Sequence, residues 1–303
     1  MLRVGSDDLR TRLMDRINEN TSRLGTLQDQ ISSGQRAHRY SGLESLAQRQ
    51  IDLTAQTRQL DQYEINNKLV TGRLNVQASS LENILKSVDA VMVAVSQAMT
   101  GGNENDGRVT DLASGAITAI GTSLNAAIGG VFVFAGTAND NPPVDTTDIN
   151  HLRKPTPPEP TPDVPNYYSG SLTQTRAQVD DTLELDYGLT AADQTFIDMF
   201  DTLARVTTSG GDTAVLTAAF DDLSRIQSEI ADKQAINGAQ QRLVDDIQGR
   251  QVELQLSIDI EIKQIEEVDI GQTMIDLTQT KTIIEASYSV TARLNQLTLL
   301  NSI

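Results

Sequence analysis

Apolar residues in the first third of the chain return every seven positions. Leu46, Leu53, Leu60, Leu74, Leu81, Val88 and Val95 share one lane, and Asn67 is its only polar member. A second lane, four residues on, is polar at Gln50, Thr57, Glu64 and Thr71, then apolar at Ala78, Leu85, Met92 and Met99. A seam kept this long predicts a coiled-coil-like helix of about 80 Å, at ~1.5 Å per residue. It should end near Gly101-Gly102, before the polar loop NENDG (103–107). Asn67 reads as a register-fixing residue within that seam.

A second helix of similar length is expected from Asp212, a capping residue after Gly210-Gly211, to about Asp269. Phe220, Leu223, Ile226, Ile230, Leu243, Ile247 and Leu254 form its stripe. Within it, Val252, Leu254, Leu256, Ile258, Ile260 and Ile262 alternate as a strand would. Leu254, Ile258, Ile262 and Ile265 also satisfy helical spacing, and no turn cluster bounds the stretch, so helix is predicted. Two such helices joined through a distal middle pack most simply as an antiparallel pair.

Both chain ends carry separate amphipathic segments. Leu13, Ile17, Asn20, Leu24, Leu27 and Ile31 step by four and three before the looser SSGQRAHRYSGLES (32–45). After a break at Gly271, Met274, Leu277, Ile284 and Tyr288 make one stripe, and Ile283, Ala286, Val290, Leu294 and Leu297 a neighbouring one. The last ten residues add Leu299, Leu300 and Ile303. That face is too wide for one partner helix. Residues 1–40 hold seven Arg against five acids, and residues 252–303 hold eight acids against three bases, so the ends attract. Exposed ion pairs contribute only ~0–1 kcal/mol each, whereas a covered Leu or Ile contributes about 1.5–3 kcal/mol. A bare pair must also offset roughly 1–2 kcal/mol of backbone ordering per residue. The ends are therefore expected to be loose in the free subunit and ordered once neighbouring copies cover them.

All eight prolines lie between Pro142 and Pro165, which separates two helix-permissive arms from an irregular centre. KPTPPEPTPDVP reads as polyproline-like, while VFVFAG (131–136) and residues 166–188 have the composition of short strands. Residues 112–139 carry no charge at all, a stretch long enough for a bilayer, but Ile117, Ile120, Leu124, Ile128 and Val131 describe one buried face of a helix with a wet side. No membrane insertion is expected.

A formal net charge of −17 leaves no basic surface for nucleic acid. The chain has no cysteine, and MLRVGSDDLRTR lacks the apolar core of a cleaved secretory signal. His38 and His151 stand apart, so no metal site is expected. Asp221-Asp222, Asp245-Asp246 and Glu266-Glu267 are adjacent on helices and read as solvated faces. Gly101, Gly102 and Gly107 suit a loop and not a phosphate cradle, and Asn20-Thr21-Ser22 is a chance sequon on a seam. No catalytic residue, cofactor or metal ligand emerges, and no enzyme is expected.

Several segments carry a resemblance. ISSGQRA (31–37) resembles the Ser/Thr-Gly-Lys/Arg element after the first helix of the flagellin superfamily. LNAAIGGVFVFAGTANDNPPV (124–144) is similar to that family's helix leading into a Gly-x-Tyr-Leu-Phe-x-Gly-Thr strand, with a trailing PPV as in its hook-associated branch. Residues 266–303 are similar to that branch's C-terminal helix, and IEIKQIEEVDIG stands where flagellins carry an Ala-Arg-Ser-Arg-Ile-Glu-Asp element. HRYSGLESLAQ lacks the family's Ser-Asp-Asp-Pro turn.

The resemblance implies a structural subunit of the bacterial flagellum at the hook–filament junction. Export would run unfolded through the flagellar type III channel, without a cleaved signal, to an extracellular site. The implied partners are sister subunits, hook-associated protein 1, flagellin, and a cytoplasmic export chaperone on the C-terminal helix. The expected fold is mainly α, an elongated helical bundle or coiled coil built from both termini, with a small β-containing outer domain in the middle. Residues 1–40 with 270–303 would form a terminal coiled-coil assembly domain. Residues 41–130 with 190–269 would form the long-helix bundle, and 131–189 the outer β/Pro-rich unit. The expected assembly interface is Leu13, Ile17, Leu24, Leu27, Ile31, Met274, Leu277, Ile284, Tyr288, Val290, Leu294, Leu297 and Leu300. A filament flagellin and an intracellular coiled-coil adaptor remain the alternatives on sequence alone.

Overall fold

A computed structural model of the chain describes residues 2–37, 43–101, 106–154 and 164–300, with the side chains of 2–7, 44, 101, 106 and 295–300 outside that description. His38, most of the proline-rich run and most of the NENDG loop lie outside the described residues. Six α-helices dominate: α1 (Leu2–Ser33), α2 (Ala47–Gly101), α3 (Asp106–Leu124), α4 (Gln194–Thr207), α5 (Thr213–Glu266) and α6 (Ile270–Leu300). Two antiparallel pairs and two short 3-10 turns (Glu44–Leu46 and Ile149–Leu152) complete the described elements; the pairs are β1 (Ala127–Ile128) with β2 (Val131–Phe132), and β3 (Thr175–Asp180) with β4 (Leu183–Tyr187). The mainly helical fold with a small β-containing part matches the sequence expectation. The chain divides into two compact units, residues 1–59 with 253–303 and residues 60–252.

In the second unit, α2 keeps its expected lane, with Leu60, Asn67, Leu74, Leu81, Val88 and Val95 all buried. Its other buried lane is a correction. It lies three residues on, at Tyr63, Val70, Gln77, Ile84, Val91 and Ala98, while Leu85 and Met92 only pack against the edge of the core. Helix α5 begins where Asp212 Oδ1 accepts from Ala214 N at 2.8 Å, as expected of a cap. Its stripe also shifts: Leu223, Ile230, Asn237, Val244 and Gln251 are buried at seven-residue steps, whereas Leu243 and Leu254 are exposed. The alternating run is helix, and only Ile258 of its apolar residues is buried.

Helices α3 and α4 close this core. Ile117, Ile120 and Leu124 are buried as predicted, but α3 stops there. Asn125 then acts as a strand-like partner for Val144, donating from Nδ2 to Val144 O at 2.8 Å and accepting from Val144 N at 2.9 Å. Gly129 and Gly130, at φ 60° and 83°, turn the chain between β1 and β2. Ile128 is therefore 41% exposed rather than part of the helical stripe. Phe134 meets Phe196 edge-on, and Tyr167 meets Phe200 at 4.8 Å between ring centroids. The sequence reading named no helix at 194–207; Asp193 caps it by accepting from Thr195 N.

In the first unit, α1 ends at Gly34, whose φ of 71° allows its N–H to bond Gln30 O. The next residues pair with the chain between α5 and α6: Arg36 N donates to Glu266 O at 2.6 Å, and Val268 N to Gly34 O at 3.0 Å. The C-terminal break thus falls at 267–269 and not at Gly271, which lies in the first turn of α6. Asp269 caps that helix, accepting from Gln272 N at 3.0 Å.

Candidate assembly surface

Helices α1 and α6 pack along each other within the first unit. The sequence reading expects loose ends in a free subunit; in this single chain both are helical and paired. From α1, Ile17 and Leu27 are buried, while Leu13, Leu24 and Ile31 are half-buried. From α6 the inward face is mostly polar. Thr273, Thr280 and Thr291 are buried alongside Ile284, with Leu277 and Leu294 half-buried. The threonines meet the need for a partner locally: Thr273 Oγ1 donates to Asp269 O at 2.7 Å, and Thr291 Oγ1 to Ser287 O at 2.8 Å.

Other apolar side chains of α6 stay uncovered, on both flanks of that face. Met274 is 51% exposed, Tyr288 55% and Val290 47%, with Ile270, Ile275 and Ile283 similarly uncovered. The structure therefore splits the expected interface. Ile17, Leu27 and Ile284 already serve the pair, whereas Met274, Tyr288 and Val290 stay available. The side chains of Leu297 and Leu300 lie outside the described residues. Leu9 and Met14 on α1, and Leu254, Leu256 and Ile260 on α5, are exposed apolar residues that the sequence reading did not assign to this surface. Apolar residues on every side of α6 were the signal available in the sequence.

Charge supports the pairing weakly. Arg23 lies 3.9 Å from Asp276 at an exposed site. Arg49 forks onto Glu261 at 2.6 and 2.8 Å, which holds the Glu261 carboxyl below and the Arg49 guanidinium above its ordinary range. Among the described residues, no three His, Asp or Glu side chains gather as a metal site would require, and no helix is long and apolar enough to cross a membrane.

Two sequence patterns cover most of the chain. That of the bacterial flagellin N-terminal helical region matches residues 9–139, and that of the bacterial flagellin C-terminal helical region matches residues 217–303. The chain belongs to the flagellin superfamily. No curated protein matches it by sequence. Among solved structures of similar fold is a Vibrio parahaemolyticus protein described as flagellar hook-associated, 15% identical, with a TM-score of 0.57 over 72% of this chain and 96% of that one. Bacillus cereus FlgL is 13% identical, with a TM-score of 0.58 over 70% of this superfamily member and 99% of its own chain. Xanthomonas campestris FlgL is 12% identical, with a TM-score of 0.55 over 68% and 98%. The superfamily's two matched regions contain most of α1, most of α5 and all of α6, so the paired ends belong to its shared part.

Proposed function

We propose that this chain is a structural, non-catalytic subunit of the bacterial flagellum, of the hook-associated protein 3 type that forms the hook–filament junction. The observation that carries the reading is the set of uncovered apolar side chains around α6, Met274 and Tyr288 on one flank, Ile283 and Val290 on the other and Ile275 between, on a helix whose buried face is threonine-rich. A surface of this kind needs cover in water, and sister subunits in a closed layer would supply it. In this reading residues 1–40 with 270–303 form the assembly domain, and Leu13, Ile17, Leu24, Leu27, Ile31, Leu277, Ile284, Leu294, Leu297 and Leu300 order within it. The long helices and the outer β/Pro-rich unit would lie outside. Hook-associated protein 1 below and flagellin above would bound the layer. A cytoplasmic chaperone would cover α6 before export, which would need no cleaved signal.

The fold likeness to hook-associated chains favours the junction over a filament flagellin. The test is gold labelling of a tag in the 155–163 segment on whole cells. One band between hook and filament is expected. Label along the whole filament would assign the chain to flagellin, and label confined to the cell interior would overturn both.

A further inference from the structure

A second surface, within residues 60–252, has a different chemistry. A cleft of about 460 Å3 opens between α2, the 137–139 turn and the β3–β4 hairpin. Its eleven lining residues include Arg73 and Arg176 and no aspartate or glutamate, in a chain of net charge −17. Arg176 is exposed and tied to Asp186 at 2.6 Å, so much of its charge is met. Arg73 is not. Four Arg or Lys side chains among the described residues are half-buried. Lys154, Arg205 and Lys233 each pair with an aspartate, and Arg73 pairs with no carboxylate.

Its one hydrogen bond runs from Nη1 to the hydroxyl of Tyr187 at 2.9 Å, with the guanidinium 5.9 Å from that ring's centroid. Tyr187 is buried against Val70 and Leu74, so Arg73 is held on a fixed platform. A guanidinium has five N–H donors, and one neutral acceptor leaves most of them to be met from the cleft. A planar fork on a rigid aromatic, among carboxamides of Asn66, Asn139 and Gln178 and beside the exposed Leu69, matches a carboxylate on a short apolar stem.

We propose that the Arg73 cleft is a carboxylate-binding site. The carboxylate has two possible sources, an acidic side chain of a neighbouring copy or a free small organic acid, and Arg73 would hold either in the same way.

The test follows the guanidinium resonances of the full chain, labelled with 15N-arginine, during titration with sodium acetate against sodium chloride at matched ionic strength. The Arg73 signal is identified by its loss in Arg73→Gln or Arg73→Lys, each checked for unchanged helical circular dichroism. A saturable shift of that signal with acetate and not chloride is expected, as a fork that pairs with a carboxylate would give. A response that is absent, or no larger than at exposed arginines, would overturn the site. The source is read separately from the concentration needed for self-assembly, an arm that rests on the junction reading. A rise of at least tenfold in Arg73→Gln would assign the carboxylate to a neighbouring copy. An unchanged threshold in Arg73→Gln, where the wild-type chain binds acetate, would assign it to a free acid. The acetate arm stands whether or not the chain is a junction subunit.

Discussion

Asn67 donates from Nδ2 to Gln251 Oε1 at 2.9 Å inside the α2–α5 seam, and both carboxamides also donate to Val179 O of β3, at 3.1 and 2.9 Å. One buried carbonyl thus ties the hairpin to both long helices. Seven-residue steps from this layer place Leu74 with Val244, Val88 with Ile230 and Val95 with Leu223, all apolar and buried. A polar layer in an apolar seam fixes register, because any slip would bury unpaired amides. Asn67→Ala should cost about 1–3 kcal/mol, chiefly by orphaning Gln251 Oε1. The paired variant with Gln251→Ala should be less destabilised than the two single losses combined, by at least ~0.5 kcal/mol. Urea unfolding of the four proteins measures both quantities. Strict additivity would remove the layer from the account of register.

Asp198 organises a second polar cluster. Burial alone would raise its carboxyl, but donors from Lys154, Gln194 and Arg225 outweigh it and hold the carboxyl below the ordinary range. A depressed folded value means the stabilisation is complete above the ordinary aspartate value and is lost as pH falls through the lower folded one. Asp198→Asn should therefore cost about 1–3 kcal/mol at neutral pH. The gap between wild type and variant should close as pH drops below ~4. Thermal melts across that range would show it, and a gap that stays constant would exclude the ionised carboxyl as the cause.

Gly136 sits at φ 63°, and a Cβ there would lie 2.2 Å from Ser171 O and 2.7 Å from Thr173 O. Both the backbone region and the space exclude a side chain. Gly136→Ala should lose about 1–3 kcal/mol from the backbone term alone. Faster hydrogen exchange at Ser171 N, which bonds Ala135 O at 2.9 Å, would report it locally. Gly129→Ala, at φ 60° with open space around it, should be milder, and equal losses at the two sites would discount the crowding at Gly136.

Much of this was legible from spacing. The lane through Leu53, Asn67 and Val95 is the one the heptad named, and Asn67 has a register role in the geometry as expected. The second lane was misplaced because Ile84 and Val91 compete with Leu85 and Met92, and spacing cannot choose between neighbours when both are apolar. The same ambiguity put Leu243 in place of Val244. The end of α3 was hidden because the stripe continues through Ile128, while Asn125 and two glycines decide the turn through side-chain bonding and positive φ. Pairing of Arg36 with Glu266 joins segments far apart in sequence through backbone groups alone, and no side-chain pattern encodes it. On α6, apolar residues surround the helix, so only packing could tell which of them α1 leaves uncovered.

That split makes the terminal surface testable residue by residue. Ile284 is 9% exposed and faces the pair, while its neighbour Ile283 is 51% exposed and faces away. Ile284→Ala should weaken the α1–α6 pairing by about 2–5 kcal/mol, seen as faster exchange of α6 amides in the free subunit. Ile283→Lys should leave that exchange within about 0.5 kcal/mol, since the site has no buried neighbour to lose. Self-assembly should respond in the opposite order of directness. Ile283→Lys introduces a charge where a sister subunit would seat, so assembly fails although the monomer is intact. Met274→Lys and Tyr288→Lys probe the other flank of α6 and should also block assembly, because that flank is uncovered too. Sedimentation and electron microscopy of each variant decide the matter. Normal assembly by all three lysine variants would move the assembly surface off α6, and leave the uncovered Met274, Ile283 and Tyr288 with no part in it.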